Sequence, residues 1–250
     1  MDYKIAIPSY NRLQTLKDKT LFYLNECGIE KDRITIFVAD EEQQKIYNVL
    51  LEDGYKIVIG EPGMTKVRNF IRRYYGDDEF VINMDDDIKH LSKLTNGKLE
   101  PFYRLDDLIK LGFVECQKQG TKIWGISAVE NPFYMSHGMS TSLKFIVGCF
   151  FGVINDKRNH FQVPDHLLVK SDYDITIKHY ITFGKVIRFN GFCPKTKYYT
   201  EAGGLQGIRK VDDSKWASEW LSKTYPDYVS IKGVAGNGHL QISLRHKKSK

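Results

Sequence analysis

A short apolar run that leads directly into three consecutive aspartates constrains this sequence more than any other feature. Residues 80–82, Phe-Val-Ile, are aromatic or β-branched and too few for a helix, so they predict a buried strand of a covered sheet. The aspartates Asp85–Asp87 then lie at the carboxyl end of that strand. Because ligands of open α/β sheets bind outside the carboxyl ends of the strands, this junction predicts a ligand site at a sheet edge.

The charge of Asp85–Asp87 points to a cofactor. Adjacent carboxylates repel one another, and a hard divalent cation with oxygen ligands relieves that repulsion. Mg²⁺ or Mn²⁺ is therefore the expected cofactor at this position. A solvated acidic loop after a strand is the other interpretation, and the tripeptide alone does not decide between the two.

Alternating strand and helix patterns around this junction predict an α/β fold. The apolar runs at residues 4–8, 34–39 and 56–59 are followed by polar residues, as in the nucleotide-binding half of such folds. The remaining predicted strands are residues 122–129, 143–155, 185–189 and 239–245. The predicted helices are residues 13–27, 44–53, 65–75, 105–116, 171–183 and a segment around Trp216 and Trp220.

The composition is that of an ordinary globular protein. The chain has 250 residues, of which 42% are hydrophobic and 27% charged, so we expect one compact domain over residues 1–250. The four cysteines lack the paired spacing of zinc sites and redox motifs. No signal-peptide pattern opens the sequence, and the longest apolar run, residues 145–154, is too short to span a bilayer. We therefore expect a soluble, cytoplasmic protein with no membrane partner.

The net charge favours a polyanionic partner. The formal charge is +6, and 13% of the residues are aromatic and can stack on bases and sugars. Mildly basic enzymes are common, however, and most aromatic residues lie in a core or at its rim. Composition therefore favours a nucleic acid partner without establishing one.

Two predicted helices begin with charged residues. Lys66 and Arg68 lie in the first turn of one helix, where positive charge opposes the macrodipole, so an anionic ligand nearby is one explanation and solvent exposure the other. In the second helix, Ser171 and Asp174 fit a variant of the capping box, and acids in the first turn suit the dipole. Capping therefore explains Asp172 and Asp174 structurally, and a catalytic role has to be weighed against it.

Taken in order, these motifs resemble the GT-A family of nucleotide-sugar glycosyltransferases over residues 3–190. They are the segment Ile5–Arg12 reading IAIPSYNR, the strand that ends at Asp40, the segment Gly63–Asn69, the aspartates Asp85–Asp87, and Asp172 at the start of a helix. Within the family the sequence is most similar to the small phage glycosyltransferases, related to the TET-associated group, that attach sugars to hydroxymethylated pyrimidines in DNA.

The resemblance implies a fold and a binding role for each half of the chain. The fold is a single GT-A domain, with a Rossmann-like, mixed central sheet and helices on both faces. Residues 1–90 are expected to bind the nucleotide sugar, and residues 91–250 the acceptor. The residues expected at the donor are Pro8, Ser9, Tyr10, Arg12, Asp40, Lys66, Arg68, Asp85 and Asp86.

More specific roles follow from the same resemblance. Asp40 is expected to accept a hydrogen bond from the base, such as uracil, while Lys66 and Arg68 face the diphosphate. Asp85 and Asp87 are expected to hold Mn²⁺ or Mg²⁺, which neutralises the departing diphosphate. Many such enzymes add a histidine to the metal, and the candidates here are His239 and, alternatively, His246.

The expected catalytic residue is Asp172, which matches the family's acidic position at the start of the acceptor-side helix. Inverting enzymes place there a general base that takes the proton of the acceptor hydroxyl. Ser171 stands where the family usually has a second acid, which leaves Asp174 as a competing base. The expected reaction is direct displacement with inversion, from a UDP-sugar to the hydroxyl of 5-hydroxymethylpyrimidine in phage DNA.

Three alternatives remain open or weakened. A polysaccharide, lipid or protein acceptor keeps the donor site and changes only the acceptor. A sugar nucleotidyltransferase shares the sheet and metal, but such enzymes begin with a glycine-rich phosphate loop, and Pro8–Arg12 contains no glycine. A non-catalytic nucleic-acid-binding module is disfavoured because three acids form a poor surface for phosphate unless a cation intervenes.

Overall fold

A central sheet organises the computed structural model, which describes residues 1–51, 54–196, 211–234 and 240–245. The strands of this sheet are β1 (Lys4–Pro8), β2 (Ile34–Val38), β3 (Lys56–Ile59), β4 (Phe80–Met84), β7 (Ile123–Ile126), β8 (Met139–Ser140), β9 (Phe150–Ile154) and β10 (Ile187–Phe189). Their order across the sheet is β3-β2-β1-β4-β9-β7-β10-β8.

Helices connect the strands. The helix α1 consists of the α-helical pieces Leu13–Thr15 and Phe22–Glu26 and the π-helical stretch Leu16–Leu21 between them. The others are α2 (Glu41–Leu50), α3 (Met64–Tyr74), α4 (Leu105–Gln119), α5 (Ser171–Phe183) and α6 (Val211–Thr224). Short 3-10 turns lie at Lys31–Arg33, Pro132–Tyr134 and Asn159–Phe161.

Strand direction places several loops at one edge of the sheet. The strands β1 to β4 are mutually parallel, β9 is antiparallel to both β4 and β7, and β10 is parallel to β7. The carboxyl ends of β1, β2, β4 and β7 therefore share one edge with the amino end of β9. Crevices for ligands form at such an edge.

Apolar side chains on the two faces of the sheet form two core clusters. On β1, Ile5 and Ile7 belong to the cluster that includes residues of α1, α2 and α4, while Ala6 belongs to the cluster with α3, α5 and α6. This alternation is the two-residue period of a strand covered on both faces. The predicted mixed sheet with helices on both faces is confirmed.

Two small sheets lie beside the large one. The strand predicted at residues 239–245 belongs to one of them, whereas their other strands were not predicted. One contains β5 (His90–Thr95), β6 (Lys98–Phe102) and β11 (Phe192–Lys195), in the order β11-β5-β6. The other is the hairpin of β12 (Val229–Val234) and β13 (Leu240–Leu244). The tip of the β5–β6 hairpin is formed by Asn96 and Gly97, which have φ of 49° and 75°.

Some predicted boundaries were wrong. The strand predicted at residues 143–155 is confined to β9, because the preceding segment departs from the sheet to line the site described below. The helix predicted at residues 65–75 is α3, which begins at Met64 after the N-cap residue Gly63, and the Thr65 hydroxyl donates a 2.9 Å hydrogen bond to the carbonyl of Leu167. Within the residues described, no helix combines the length and apolar character that a membrane crossing requires.

Candidate active site

The acidic loop, defined as residues Asp85–Ile88, follows β4 at the edge where the carboxyl ends of the parallel strands meet. Its first amide, Asp85 N, donates a 2.9 Å hydrogen bond to the carbonyl of Cys149 at the entrance to β9. The hydroxyl of Thr20 on α1 donates to the carbonyl of Asp85 at 2.8 Å and accepts from the amide of Ile88 at 3.0 Å. Both ends of the loop are therefore held by neighbouring elements.

Asp86 points into the protein. It is 5% exposed, and its carboxylate accepts hydrogen bonds from Ser9 Oγ at 2.8 Å and from Arg12 Nη1 at 3.1 Å. Burial raises the pKa of Asp86 to about 7, the adjacent carboxylates raise it further, and Arg12 and Ser9 oppose the rise. Asp86 therefore links the acidic loop to the segment that follows β1 through buried hydrogen bonds.

Arg12 holds the acidic loop from the β1 side. Its Nη1 lies 3.1 Å from Asp86 and 3.5 Å from Asp87, and its side chain is 11% exposed. The hydroxyl of Tyr47 on α2 lies 2.9 Å from Ser9 Oγ and accepts from the amide of Arg12 at 3.4 Å. Asp87 also accepts a 3.0 Å hydrogen bond from the Thr196 hydroxyl.

Arg68 holds the acidic loop from the opposite side. Its Nη2 lies 3.6 Å from Asp85 Oδ1 and donates a 2.9 Å hydrogen bond to the carbonyl of Gly148. Its Nη1 donates at 3.2 Å to the hydroxyl of Ser171, the first residue of α5. Arg12 and Arg68 thus offset part of the repulsion among the three acids even without a cation.

Asp172 lies at the start of α5, next to the residue that Arg68 contacts. Its carboxylate accepts from the amide of Gly148 at 3.3 Å and from the amide of Tyr173 at 3.1 Å. Burial raises the pKa of Asp172, and the charge of Arg68 and the two amides oppose the rise. A side chain at position 148 would displace both residues, because a Cβ on Gly148 would lie 2.9 Å from Arg68 Nη1 and 3.1 Å from Asp172 Cβ.

The predicted capping box at the start of α5 was wrong. Lys170 occupies the N-cap position in the left-handed region, with φ of 60°, and makes no side-chain capping bond. The Ser171 hydroxyl instead accepts from Arg68. Asp174 is fully buried, pairs with Lys178 Nζ at 2.7 Å and accepts from the hydroxyl of Tyr225 at 2.6 Å. Asp174 is therefore engaged inside the protein rather than turned toward an acceptor.

The remaining predicted donor residues occupy different surroundings. Pro8 ends β1, and Tyr10 follows it with 49% of its surface exposed. Asp40 caps α2: its Oδ1 accepts from the amide of Gln43 at 2.9 Å, and its Oδ2 accepts from Gln43 Nε2 at 3.1 Å. Lys66 is exposed and does not share a face of α3 with Arg68, because residues two apart on a helix diverge.

The exposed carboxylates of the acidic loop suit a divalent cation that arrives with a ligand. Asp85 and Asp87 keep 28% and 16% of their side-chain surfaces exposed, while Asp86 is turned inward. Among the residues described, no group of three or more His, Cys, Asp and Glu could hold a metal ion. His239 and His246 lie outside the described residues. Since Mg²⁺ is commonly held by one or two carboxylates plus substrate phosphates, Asp85 and Asp87 suit a cation that arrives with a diphosphate.

Three residues that organise the site were not identified from the sequence. They are Thr20, Tyr47 and Gly148. Thr20 did carry a signal, because it is a polar residue in a stripe whose other members, such as Leu16 and Leu24, are fully buried and apolar. The contacts of Tyr47 and Gly148 depend on distant segments and have no local signature.

Similarity to solved structures agrees with this geometry. No protein-family model and no curated protein sequence matches the chain. TarS 1-349 of S. aureus in complex with UDP is similar with a TM-score of 0.51 and 16% identity, over 90% of this chain and 72% of that one. Mannosyltransferase PcManGT of Pyrobaculum calidifontis, in complex with GDP-Man and Mn²⁺, is similar with a TM-score of 0.59 and 12% identity. The match covers 90% of this chain and 64% of that one. Mannosyl-3-phosphoglycerate synthase of Rubrobacter xylanophilus is similar with a TM-score of 0.51 and 11% identity, over 99% of this chain and 85% of that one.

Identities this low establish the fold alone. The strand order, the helices on both faces and these similarities together show that the chain has a GT-A-type nucleotide-diphospho-sugar transferase fold. Its acidic loop lies at the sheet edge where α/β folds bind ligands.

Proposed function

We propose that this protein is a nucleotide-sugar glycosyltransferase that moves a sugar from a UDP-sugar to a hydroxyl acceptor. The observation that carries the proposal is the position of Arg68, 3.6 Å from Asp85 of the acidic loop and 3.2 Å from Ser171, which precedes Asp172. A reaction between two substrates gains most when both are held in a fixed relative geometry. One guanidinium here connects the donor-side acids to the helix that carries the candidate base.

On the donor side, the described residues can bind a nucleoside diphosphate. The exposed ring of Tyr10, at the end of β1, is available to stack on a base. Asp85 and Asp87 would hold Mn²⁺ or Mg²⁺, which supplies charge neutralisation to the departing diphosphate when bound. The UDP complex of TarS and the GDP-Man and Mn²⁺ complex of PcManGT support a donor of this class.

On the acceptor side, Asp172 is the proposed general base. The acceptor oxygen attacks the anomeric carbon as the bond to the diphosphate oxygen breaks, the configuration inverts, and the hydroxyl proton passes to Asp172. The two amide donors of Gly148 and Tyr173 orient its carboxylate. Burial raises the pKa of Asp172, which strengthens it as a base near neutral pH.

We further propose that the acceptor is DNA carrying 5-hydroxymethylpyrimidine. The net charge of +6 suits a polyanion. The loop after β7 lies at the same sheet edge as the acidic loop and carries Phe133 and Tyr134, which are 84% and 72% exposed with ring centroids 5.0 Å apart. Exposed aromatic rings beside a site are suited to stack on a base that has left the duplex.

The proposal is tested by incubating the protein with Mn²⁺, a panel of UDP- and GDP-sugars, and DNA containing 5-hydroxymethylcytosine or 5-hydroxymethyluracil. Digestion to nucleosides and mass spectrometry should reveal a hexose or pentose adduct on the hydroxymethylated base and none on matched unmodified DNA. Transfer to an oligosaccharide, lipid or protein acceptor instead would retain the enzyme class and exclude DNA as the acceptor. Absence of both transfer and nucleotide binding would exclude the class.

A further inference from the structure

The hydroxyl of Thr20 contacts both ends of the turn that carries the three acids. Asp85 and Ile88 are the first and fourth residues of that turn. In an ordinary β-turn, the carbonyl of the first residue faces the amide of the fourth. Thr20 Oγ1 donates to the carbonyl at 2.8 Å and accepts from the amide at 3.0 Å, and Thr20 itself is fully buried. The turn is thereby fixed against α1.

The local shape of α1 brings this hydroxyl to the turn. Thr20 lies within the π-helical stretch Leu16–Leu21, and π-helical turns inside α-helices are rare and are frequently found at functional sites. A threonine in a regular helix commonly bonds a carbonyl of the preceding turn. In α1 its hydroxyl bonds the acidic loop instead.

We propose that Thr20 is a positioning residue of the donor site, an inference that rests on the proposed glycosyltransferase function. By holding the turn at both ends, the hydroxyl keeps Asp86 directed inward to Ser9 and Arg12. That orientation leaves Asp85 and Asp87, on either side of it, as the partly exposed carboxylates. Because Thr20 is fully buried, its hydroxyl acts through the main chain of the acidic loop.

The test compares Thr20→Val, which keeps the shape and removes the hydroxyl, with Thr20→Ser, which keeps the hydroxyl. Thr121→Val is a matched control, because Thr121 is 2% exposed and its hydroxyl donates a 2.7 Å hydrogen bond to the carbonyl of Lys185, away from the acidic loop. Each Val variant loses one buried hydroxyl that bonds the main chain. Both should lower the unfolding temperature, Thr20→Val by more because the Thr20 hydroxyl makes two such bonds and the Thr121 hydroxyl makes one.

Two readouts separate positioning from stability. Hydrogen exchange of the Ile88 amide in the free protein should accelerate in Thr20→Val and not in Thr121→Val. Titration with UDP in the presence of Mn²⁺ should show binding about tenfold weaker for Thr20→Val, within the worth of one buried hydrogen bond. Thr20→Ser should restore binding to about twofold of the unaltered protein, while Thr121→Val leaves it unchanged.

The outcomes distinguish two failures. Equal UDP binding by the two Val variants, with Ile88 exchange unchanged, would overturn the positioning role and leave the proposed function standing. If the unaltered protein bound no nucleotide or nucleotide sugar, the proposed function and the donor-site role of Thr20 would both fall. The exchange of Ile88 would then still report whether the hydroxyl restrains the turn.

Discussion

Asp172 and Asp174, two residues apart on α5, point into different surroundings. Asp172 accepts hydrogen bonds from the amides of Gly148 and Tyr173 near the acidic loop. Asp174 is fully buried and engaged by Lys178 and Tyr225. Burial raises the pKa of both carboxyls, so the pKa does not distinguish them, whereas their contacts do.

This difference predicts opposite phenotypes for two conservative substitutions. Asp172→Asn should abolish sugar transfer and leave donor affinity nearly unchanged, because the amide keeps the shape of the carboxylate but cannot accept the proton. Its single acceptor oxygen can serve only one of the two backbone amides, so the unfolding temperature should fall slightly. Asp174→Asn should weaken a buried ion pair and destabilise the protein by about 1–3 kcal/mol, with transfer retained below the unfolding temperature. Steady-state kinetics and thermal unfolding measure both effects. Normal turnover by Asp172→Asn would place the base elsewhere.

Arg68 provides a second prediction, because it makes three contacts that a lysine cannot reproduce. Arg68→Lys keeps the charge but loses the planar fork that reaches Asp85, Gly148 and Ser171 together. We expect kcat to fall about 100-fold, with a smaller change in donor affinity, since the relative placement of donor and base is disturbed.

The matched control for Arg68 is Arg73→Lys on the same helix. Arg73 is exposed and pairs with Glu61, and exposed pairs contribute little to stability. Its kinetics should stay within twofold of the unaltered protein. If the kinetics of Arg68→Lys matched those of Arg73→Lys, the contacts of the Arg68 guanidinium would not matter to the reaction.

The sequence predicted the parts of this site that depend on strand ends. An apolar run followed by polar residues placed Asp85–Asp87 and Ser9 at the sheet edge, because parallel strands bring their carboxyl ends together. It did not predict that Asp86 turns inward, since this depends on Arg12, which reaches it from the loop between β1 and α1. The sequence likewise predicted that Asp40 bonds the base. In the structure its carboxylate caps α2, accepting hydrogen bonds from the main-chain amide and the side chain of Gln43 on that helix.

The small sheet of β5, β6 and β11 was missed for a related reason. Its strands carry few core residues, with Leu91 and Leu94 buried on β5 and neighbours such as Lys93 exposed, so no long apolar run marks them. The pairing that defines the sheet joins β5 to β11, which are far apart in sequence. Pairing between distant segments has no local pattern to detect.

A buried histidine predicts how stability depends on pH. His179 on α5 stacks on Phe161 with ring centroids 4.4 Å apart, and its Nδ1 lies 2.8 Å from the carbonyl of Ile175. Burial lowers the pKa of His179 to about 3, and the positive charge of Arg72 contributes. In the unfolded chain the pKa is about 6.5, so below that pH the unfolded state binds a proton that the folded state does not.

The free energy of unfolding should therefore decrease as pH falls from about 6.5 toward 3, with His179 contributing up to about 1.4 kcal/mol per pH unit. His179→Phe keeps the stacking and removes the ionisable group, so its unfolding free energy should fall less steeply over this range. The control is His137→Gln, an exposed histidine whose substitution should leave the slope unchanged. Denaturant unfolding at a series of pH values measures the slopes, and identical slopes for all three proteins would contradict the prediction.

The acidic loop supports a last prediction about the cation. Asp87→Ala removes one of the two partly exposed carboxylates, while Arg12 keeps its partner Asp86, so the fold should persist. Transfer and Mn²⁺-dependent binding of the nucleotide sugar should both be lost, because one carboxylate cannot hold the ion with the diphosphate. Calorimetric titration with and without Mn²⁺ measures the dependence.

The control is Asp107→Ala, which removes an exposed acid on α4 that pairs with Arg104. This variant should bind the nucleotide sugar as the unaltered protein does. Retention of Mn²⁺-dependent binding by Asp87→Ala would show that the ion is held by other residues, and that Asp87 serves mainly as the partner of Arg12 and Thr196.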